Sequence, residues 1–231
     1  SIEVLNAVTG DHFTALYQDN KIGNIASYIL NVHVDDKYYV NFADCAPVCG
    51  RSGVREFLFA KRVGNENMMC FAAGEHKKDA DYLRPNSENL FYRLQAAFTE
   101  REIDSFDTTR PVKKRDLYYE SVGLLIARDS KYVLAVKAGC NGDSHNHNDT
   151  GSITVYKNGK PFLIDVGVET YSKKTFSPDR YDIWTMQSAY HNLVTFGDIM
   201  QKDGSRYASE VSEVILNDRK WNWQAVIRRG Q

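Results

Sequence analysis

Residues 122–138 read VGLLIARDSKYVLAVKA, and this stretch decides the fold class. Val122, Leu124 and Ile126 alternate with their neighbours, Asp129-Ser130-Lys131 interrupts, and Tyr132, Leu134, Val136 and Ala138 alternate again. Successive side chains of a strand point to opposite faces, so period two on both sides of a polar turn predicts an antiparallel hairpin. Ile153 and Val155 carry the pattern on to Lys157-Asn158-Gly159-Lys160. Asn-Gly tolerates positive φ at both central positions of a type I′ turn, which predicts a second hairpin leading into Phe162 to Asp165. Short strands separated by turns over residues 117–231 predict an antiparallel β-sandwich.

Working upstream, residues 104–116 (DSFDTTRPVKKRD) are polar, contain a proline and have no period, and so read as a junction between domains. Before them, over residues 1–103, the period is helical. Ile22, Ile25, Ile29 and Val32 form one apolar stripe, and Val54, Phe57 and Leu58 a shorter one closed by Gly64. A third helix is predicted after Pro85, capped by Asn86 or Ser87, with Leu90, Phe91, Leu94, Ala97 and Phe98 on its core face. Helices first and antiparallel strands second make the class α+β.

Composition narrows the function classes. Lys plus Arg number 29 against 30 Asp plus Glu, a net charge of −1, so there is no basic field to hold nucleic acid or an anionic membrane surface. The longest apolar runs are far shorter than the roughly 20 residues a membrane helix needs. Four cysteines in 231 residues are too few for a disulfide scaffold, and Cys45-x-x-x-Cys49 lacks the second pair of a zinc ribbon. It reads as a loop with two buried or free thiols. The chain opens at Ser1 without a charged-then-apolar leader and is expected to be a soluble piece of a larger protein.

The chemistry concentrates in the β half. His12, His33 and His76 are scattered through the helical half and read as structural, whereas His145, His147 and His191 fall among the strands. In NGDSHNHNDTG, residues 141–151, His145, His147 and Asp149 stand two apart, and an extended strand would turn all three to one face. Three ionisable groups on one face are costly to bury unless they bind a metal, each other or a charged ligand. A metal needs further ligands from other strands. Asp165, at the end of the apolar run Phe162-Leu163-Ile164, and His191, within Tyr190-His191-Asn192, are the candidates. A hydrogen-bonded polar cluster at a sheet end satisfies the same pattern. No G-x-G-x-x-G, P-loop or G-x-S-x-G motif occurs.

Three blocks in order carry a resemblance: SHNHNDTGSI (144–153), GKPFLIDVGVETY (159–171), and FSPDRY (176–181) with IWTMQSAYHN (183–192). They resemble the heparinase II/III-like family of polysaccharide lyases, and Tyr38 to Asp44 (YYVNFAD) resembles part of that family's helical domain. The resemblance implies the last helices of an (α/α) toroid followed by an antiparallel β-sandwich. It implies β-elimination on an acidic, uronate-containing polysaccharide, and bacterial origin in cytoplasm or periplasm. By position, His145 would be catalytic, while His147, Asp165 and His191 would bind zinc. Tyr171, Arg180, Trp184 and Gln187 would line the substrate cleft, Arg180 as a carboxylate clamp and Trp184 as a sugar platform. Tyr38, Tyr39 and Asn41 would reach it from the helical side. The family's catalytic Tyr would lie upstream of Ser1, so this chain alone is expected to be inactive.

Two other readings fit part of the pattern. His147-x-Asp149 with His191 imitates the two-His-one-carboxylate set of non-haem iron oxygenases, with Arg206 as an oxoacid anchor. A sandwich whose metal only staples strands would bind carbohydrate or serve a structural role without needing His145. The carboxylate decides between the two enzymes: the lyase needs Asp165 and the oxygenase Asp149.

Overall fold

The computed structural model describes residues 2–50, 53–79, 90–216 and 221–227. The chain divides into two units, one of residues 1–31 with 50–114 and the other of residues 32–49 with 115–231. Residues 32–49, read from sequence with the helices, therefore belong with the strands.

The first unit holds α1 (Ile2–Thr9), most of α2 (Asn20–Val32), α3 (Val54–Arg62), α4 (Glu66–Lys78) and α5 (Leu90–Ser105). The Asn65 side chain accepts from Met68 N at 3.0 Å and starts α4, satisfying a donor that the first turn leaves free. Leu30, Ala60, Met68 and Phe71 form one apolar cluster, and Phe57, Ala72, Ala73 and Ile103 another. Ala26 and Leu30 are buried on α2 while Ile25 is exposed, so the buried side is rotated by one residue from the predicted stripe.

The core face predicted for α5 is wrong. Leu90, Phe91, Leu94 and Phe98 are exposed, Phe98 at 86 %, and the buried residues are Ala96, Thr99 and Ile103. Small side chains at 96 and 99 let α5 approach closely, and Ile103 fills the space between Phe57 and the two alanines of α4. The cap expected at Pro85-Asn86-Ser87 lies outside the described residues. Part of the junction segment is pinned to α4, since Lys113 N donates to Asn67 Oδ1 at 2.8 Å and Asn67 Nδ2 returns a bond to Lys113 O at 2.7 Å.

The second unit begins with the hairpin β1 (His33–Asp35) and β2 (Tyr38–Tyr39). Its main element is an antiparallel meander in chain order, β3 (Leu117–Tyr119), β4 (Leu124–Arg128), β5 (Tyr132–Lys137), β6 (Ser152–Lys157) and β7 (Lys160–Leu163). The predicted first hairpin is β4–β5, with Ile126 opposite Ala135. The second, β6–β7, turns on Asn158 (φ 51°) and Gly159 (φ 74°), both left-handed as a type I′ turn requires. A further pair, β8 (Ser209–Leu216) with β9 (Trp221–Ile227), forms its own two-stranded sheet. Leu124, Leu125, Ile126 and Ala127 are all buried, so β4 is covered on both faces and its continuous apolar run, not alternation, is the relevant signal. Tyr156 OH donates to Tyr39 O at 2.6 Å and ties β6 to β2.

Val122 is not part of β4. It closes a 3₁₀ turn (Glu120–Val122), and Gly123 reverses the chain at φ 62°. A Cβ on Gly123 would lie 1.4 Å from Ala138 O, the neighbour whose amide bonds Gly123 O at 2.6 Å. Gly123→Ala is therefore expected to destabilise the second unit by about 3 kcal/mol or more, the left-handed strain adding to backbone displacement. Thermal unfolding followed by circular dichroism measures this. An unchanged midpoint would show that the β4–β5 register adapts freely.

Candidate metal centre and the Asp44 cluster

The stretch carrying His145 and His147 is not a strand. Residues 141–151 run through successive turns, and His145 itself takes φ 57°. The loop is stapled through polar groups. Asn148 N bonds Met186 O at 2.9 Å, Thr150 Oγ1 donates to Asn141 Oδ1 at 2.8 Å, and Asn141 Nδ2 reaches Gln201 Oε1 at 3.0 Å. The Asn and Thr side chains of a stretch that read as an extended strand thus bond one another and Gln201 instead. The one-face argument for His145, His147 and Asp149 fails accordingly: the two histidines meet at Asp44, and Asp149 pairs with Lys137.

His147, Asp165 and His191 are buried together, each offering one ligand atom within 4.8 Å of the others. Asp165 follows β7. His191 follows three short 3₁₀ turns (Pro178–Asp182, Trp184–Met186, Ser188–Tyr190) and is no part of a strand. Its neighbour Asn192 bonds Ile153 O at 3.1 Å and Ile164 O at 2.8 Å, which fixes where His191 enters.

The hydrogen bonds fix which ring nitrogens are available. His147 Nε2 lies 3.1 Å from Asp44 Oδ1, and His191 Nε2 lies 3.0 Å from Thr185 O. Both oxygens only accept, so each Nε2 carries the proton and each neutral ring presents Nδ1 as a lone pair. His147 Nδ1 is buried without a hydrogen-bond partner. His191 Nδ1 stands 2.7 Å from Asp165 Oδ2, and Asp165 Oδ1 accepts from Gly167 N at 2.8 Å. A lone pair and a carboxylate oxygen so close require a shared cation, a proton or a metal. Burial lowers the pKa of His147 in spite of nearby carboxylates, which favours the neutral ring a metal needs. Burial also opposes charge on His191, but Asp165 outweighs it and raises that ring.

Asp149 belongs elsewhere. It is fully buried with its Oδ1 2.6 Å from Lys137 Nζ. The carboxylate grouped with the two histidines is thus Asp165, the one the lyase reading requires.

Beside this group lies a cluster on Asp44, a residue that sequence reasoning did not single out. Its Oδ1 accepts from Arg180 Nη2 at 2.7 Å and His147 Nε2 at 3.1 Å, and its Oδ2 from His145 Nδ1 and Tyr171 OH, each at 2.9 Å. Burial alone would raise this carboxyl, but its four donors, His145 first, hold it below the usual carboxylate value. Asp44 in turn raises Tyr171, which stays a phenol. His145 is held through Nδ1 with its side chain 59 % exposed, leaving Nε2 as the nitrogen open to a ligand.

Of the predicted cleft residues, Tyr171 and Arg180 join Asp44. Arg180 is mostly buried and spends its other bonds on Thr175 O (3.2 Å) and Asn146 O (3.1 Å), so it serves Asp44 as counter-ion. Trp184 pairs with Glu169 and packs edge-on against Tyr190, while Gln187 donates to Tyr181 O at 3.0 Å, so neither bonds this cluster. Asn41 is buried and donates to Cys45 O at 3.1 Å, and Tyr39 is buried too, which places both in the scaffold. The only signal for Asp44 was its place at the end of YYVNFAD, a segment read with the wrong domain.

Comparison with known proteins adds a family-model match and a likeness of fold. Residues 111–220 match the family model "Heparinase II/III-like, C-terminal". A heparan sulfate lyase HepC mutant from Pedobacter heparinus superposes with a TM-score of 0.57 at 16% identity, over 90% of this chain and 28% of that one. A heparinase III gene product with methylated lysines gives 0.53 at 18% identity, over 89% and 27%. HepC itself from Pedobacter heparinus gives 0.52 at 15%, over 90% and 28%. The likeness is one of fold, and the chain spans about 28% of the length of these structures. No curated protein matches.

Proposed function

From the match of residues 111–220 to the heparinase II/III-like C-terminal family model, we propose that this chain is the metal-binding part of a polysaccharide lyase cleaving an acidic, uronate-containing glycan by β-elimination. The observation that carries the reading is one carboxylate, Asp44, holding both His147 of the buried ligand group and the exposed His145. A buried site organised behind a presented base is what proton abstraction next to a carboxylate asks for.

In this reading His147 Nδ1, His191 Nδ1 and Asp165 Oδ2 hold a zinc ion, a two-nitrogen, one-oxygen set that suits it. When bound, zinc supplies a fixed positive charge that locks these three side chains. The chemistry rests on the chain's own groups. His145, its Nδ1 proton held by Asp44, takes the C5 proton of the uronate at Nε2. The electron pair forms the C4–C5 double bond as the C4–O bond breaks. Tyr171, kept protonated by Asp44, orients the carboxylate that positions His145. Trp184 and Gln187 contact sugar further along the cleft. The proton for the leaving oxygen comes from the tyrosine that the resemblance places upstream of Ser1.

The test is to incubate the longer natural protein with heparan sulfate and with alginate. Products absorbing in the ultraviolet through the new double bond are expected, and cleavage without that absorbance would mean hydrolysis and overturn the reading. The chain of residues 1–231 alone is expected to bind metal and give no products. Turnover by it would place the proton donor within these residues, with Tyr171 the first to test.

A further inference from the structure

Cys45 and Cys49 hold no ligand of the metal centre, yet they are built as a pair. Tyr38 and Val48 form an antiparallel bridge, Tyr39 N bonds Pro47 O at 3.0 Å, and Cys49 N bonds Lys37 O at 3.3 Å. Asn41 Nδ2 clamps Cys45 O at 3.1 Å. The loop is thus fixed at both cysteines, with Pro47 restricting it between them. Both thiols point at one carbonyl, Ala46 O, at 3.4 Å from Cys45 Sγ and 3.8 Å from Cys49 Sγ. Sharing that one acceptor brings the two sulfurs to the same side of the loop. Both are partly exposed, so a small reagent reaches them, whereas Cys70 is buried.

We propose that Cys45 and Cys49 are an oxidisable dithiol, a site that closes to an intramolecular disulfide by exchange with a low-molecular-weight disulfide such as oxidised glutathione. Cys49 enters first. The Cys45 side chain draws it down to about 7 despite its burial, and Cys49 in turn pushes Cys45 up. The Cys49 thiolate attacks one sulfur of the reagent, forming a mixed disulfide and releasing one glutathione thiolate. Cys45 then loses its proton and attacks Cys49 Sγ, the protein S–S bond forms, and the second glutathione leaves. Two protein thiols are oxidised, one reagent disulfide is reduced, and the two protons end on the two glutathione thiols. The fixed loop leaves little chain freedom to remove on closure.

The test uses the full chain, reduced, desalted and exposed to excess oxidised glutathione, with intact mass, peptide mapping and a denatured thiol count. The wild type is expected to lose two hydrogens, to retain two of its four thiols, and to yield a peptide linked through Cys45 and Cys49. Cys45→Ser is expected to keep one glutathione on Cys49, because the resolving thiol is gone, and neither single variant to form the Cys45–Cys49 link. Four surviving thiols in the wild type, glutathione persisting on it, or oxidation traced to Cys70 or Cys140 would each overturn the proposal. Serine is nearly isosteric at both partly exposed positions, so the variants fold, and the mass readout needs neither metal nor lyase activity.

Discussion

Replacing His147 with alanine is expected to abolish metal retention, while His145→Ala and Asp149→Asn retain it. His147 is fully buried, and its Nδ1 has no other partner to satisfy. Groups that only orient a ligand are worth about 10–100-fold in metal affinity, so removing the ligand itself costs more than that. His145 bonds Asp44 from an exposed position and has no place in the buried group. Asp149 is occupied by Lys137, and the amide of the Asp149→Asn variant still accepts from that ammonium. Alanine at 147 also leaves a cavity worth about 1–3 kcal/mol, so His147→Gln, closer in volume, separates loss of the ligand from loss of the fold. Elemental analysis after dialysis against limiting zinc is the measurement. About one ion per wild-type chain is expected, with none in either His147 variant. Equal loss in His145→Ala would end the division of labour between the two histidines. Iron that disappears with Asp149→Asn would favour the oxygenase arrangement.

How far the sequence reaches can be judged from particular residues. The β4–β5 and β6–β7 hairpins were legible because turn chemistry is local, although β6 alternates in burial and β4 is buried from Leu124 to Ala127. Asn158-Gly159 takes the predicted turn with both φ values positive. Asp165 and His191 were legible as candidates because a carboxylate abutting an apolar run demands a partner. The α5 face was not legible, since the large residues Leu90, Phe91, Leu94 and Phe98 outrank Ala96 and Thr99 on any hydrophobicity scale. Which face is buried depends on what packs against it, and small residues permit the closer approach. The 141–151 loop failed for a related reason. Its alternation is real in the sequence, but Asn141, Thr150 and Gln201 satisfy one another across 60 residues, and no local rule sees that. Asp44 is separated from His145 by 101 residues, so it could be found only in three dimensions.

Asp44→Asn is expected to damage one half of the site or the other, according to how the amide turns, with almost no change in shape. The carboxylate accepts four donors, two on each oxygen. An asparagine has one acceptor oxygen, and its NH₂ faces two of those donors wherever it is turned. If the amide nitrogen faces His145, the ring must accept at Nδ1, its proton moves to Nε2, and the base of the proposed elimination is lost. A wrong tautomer of this kind behind a catalytic histidine costs about 10⁴-fold in the serine-protease triad, and a loss of about 10²–10⁴-fold in kcat is expected here with KM little changed. If it faces His147, the bond that keeps the metal-binding lone pair on Nδ1 weakens, and affinity for zinc falls by about 10–100-fold. Either way Arg180, largely buried against Asp44, loses its counter-ion, at a cost of about 3 kcal/mol or more. Pairing Asp44→Asn with Arg180→Met removes that uncompensated charge and is expected to restore stability without restoring kcat or metal affinity. Metal affinity and unfolding midpoint, measured on the same four proteins of the cycle, check this in the chain of residues 1–231, and kcat checks it in the longer protein. Recovery of metal affinity together with stability would make Asp44 a partner of Arg180 alone, with no hold on the histidines.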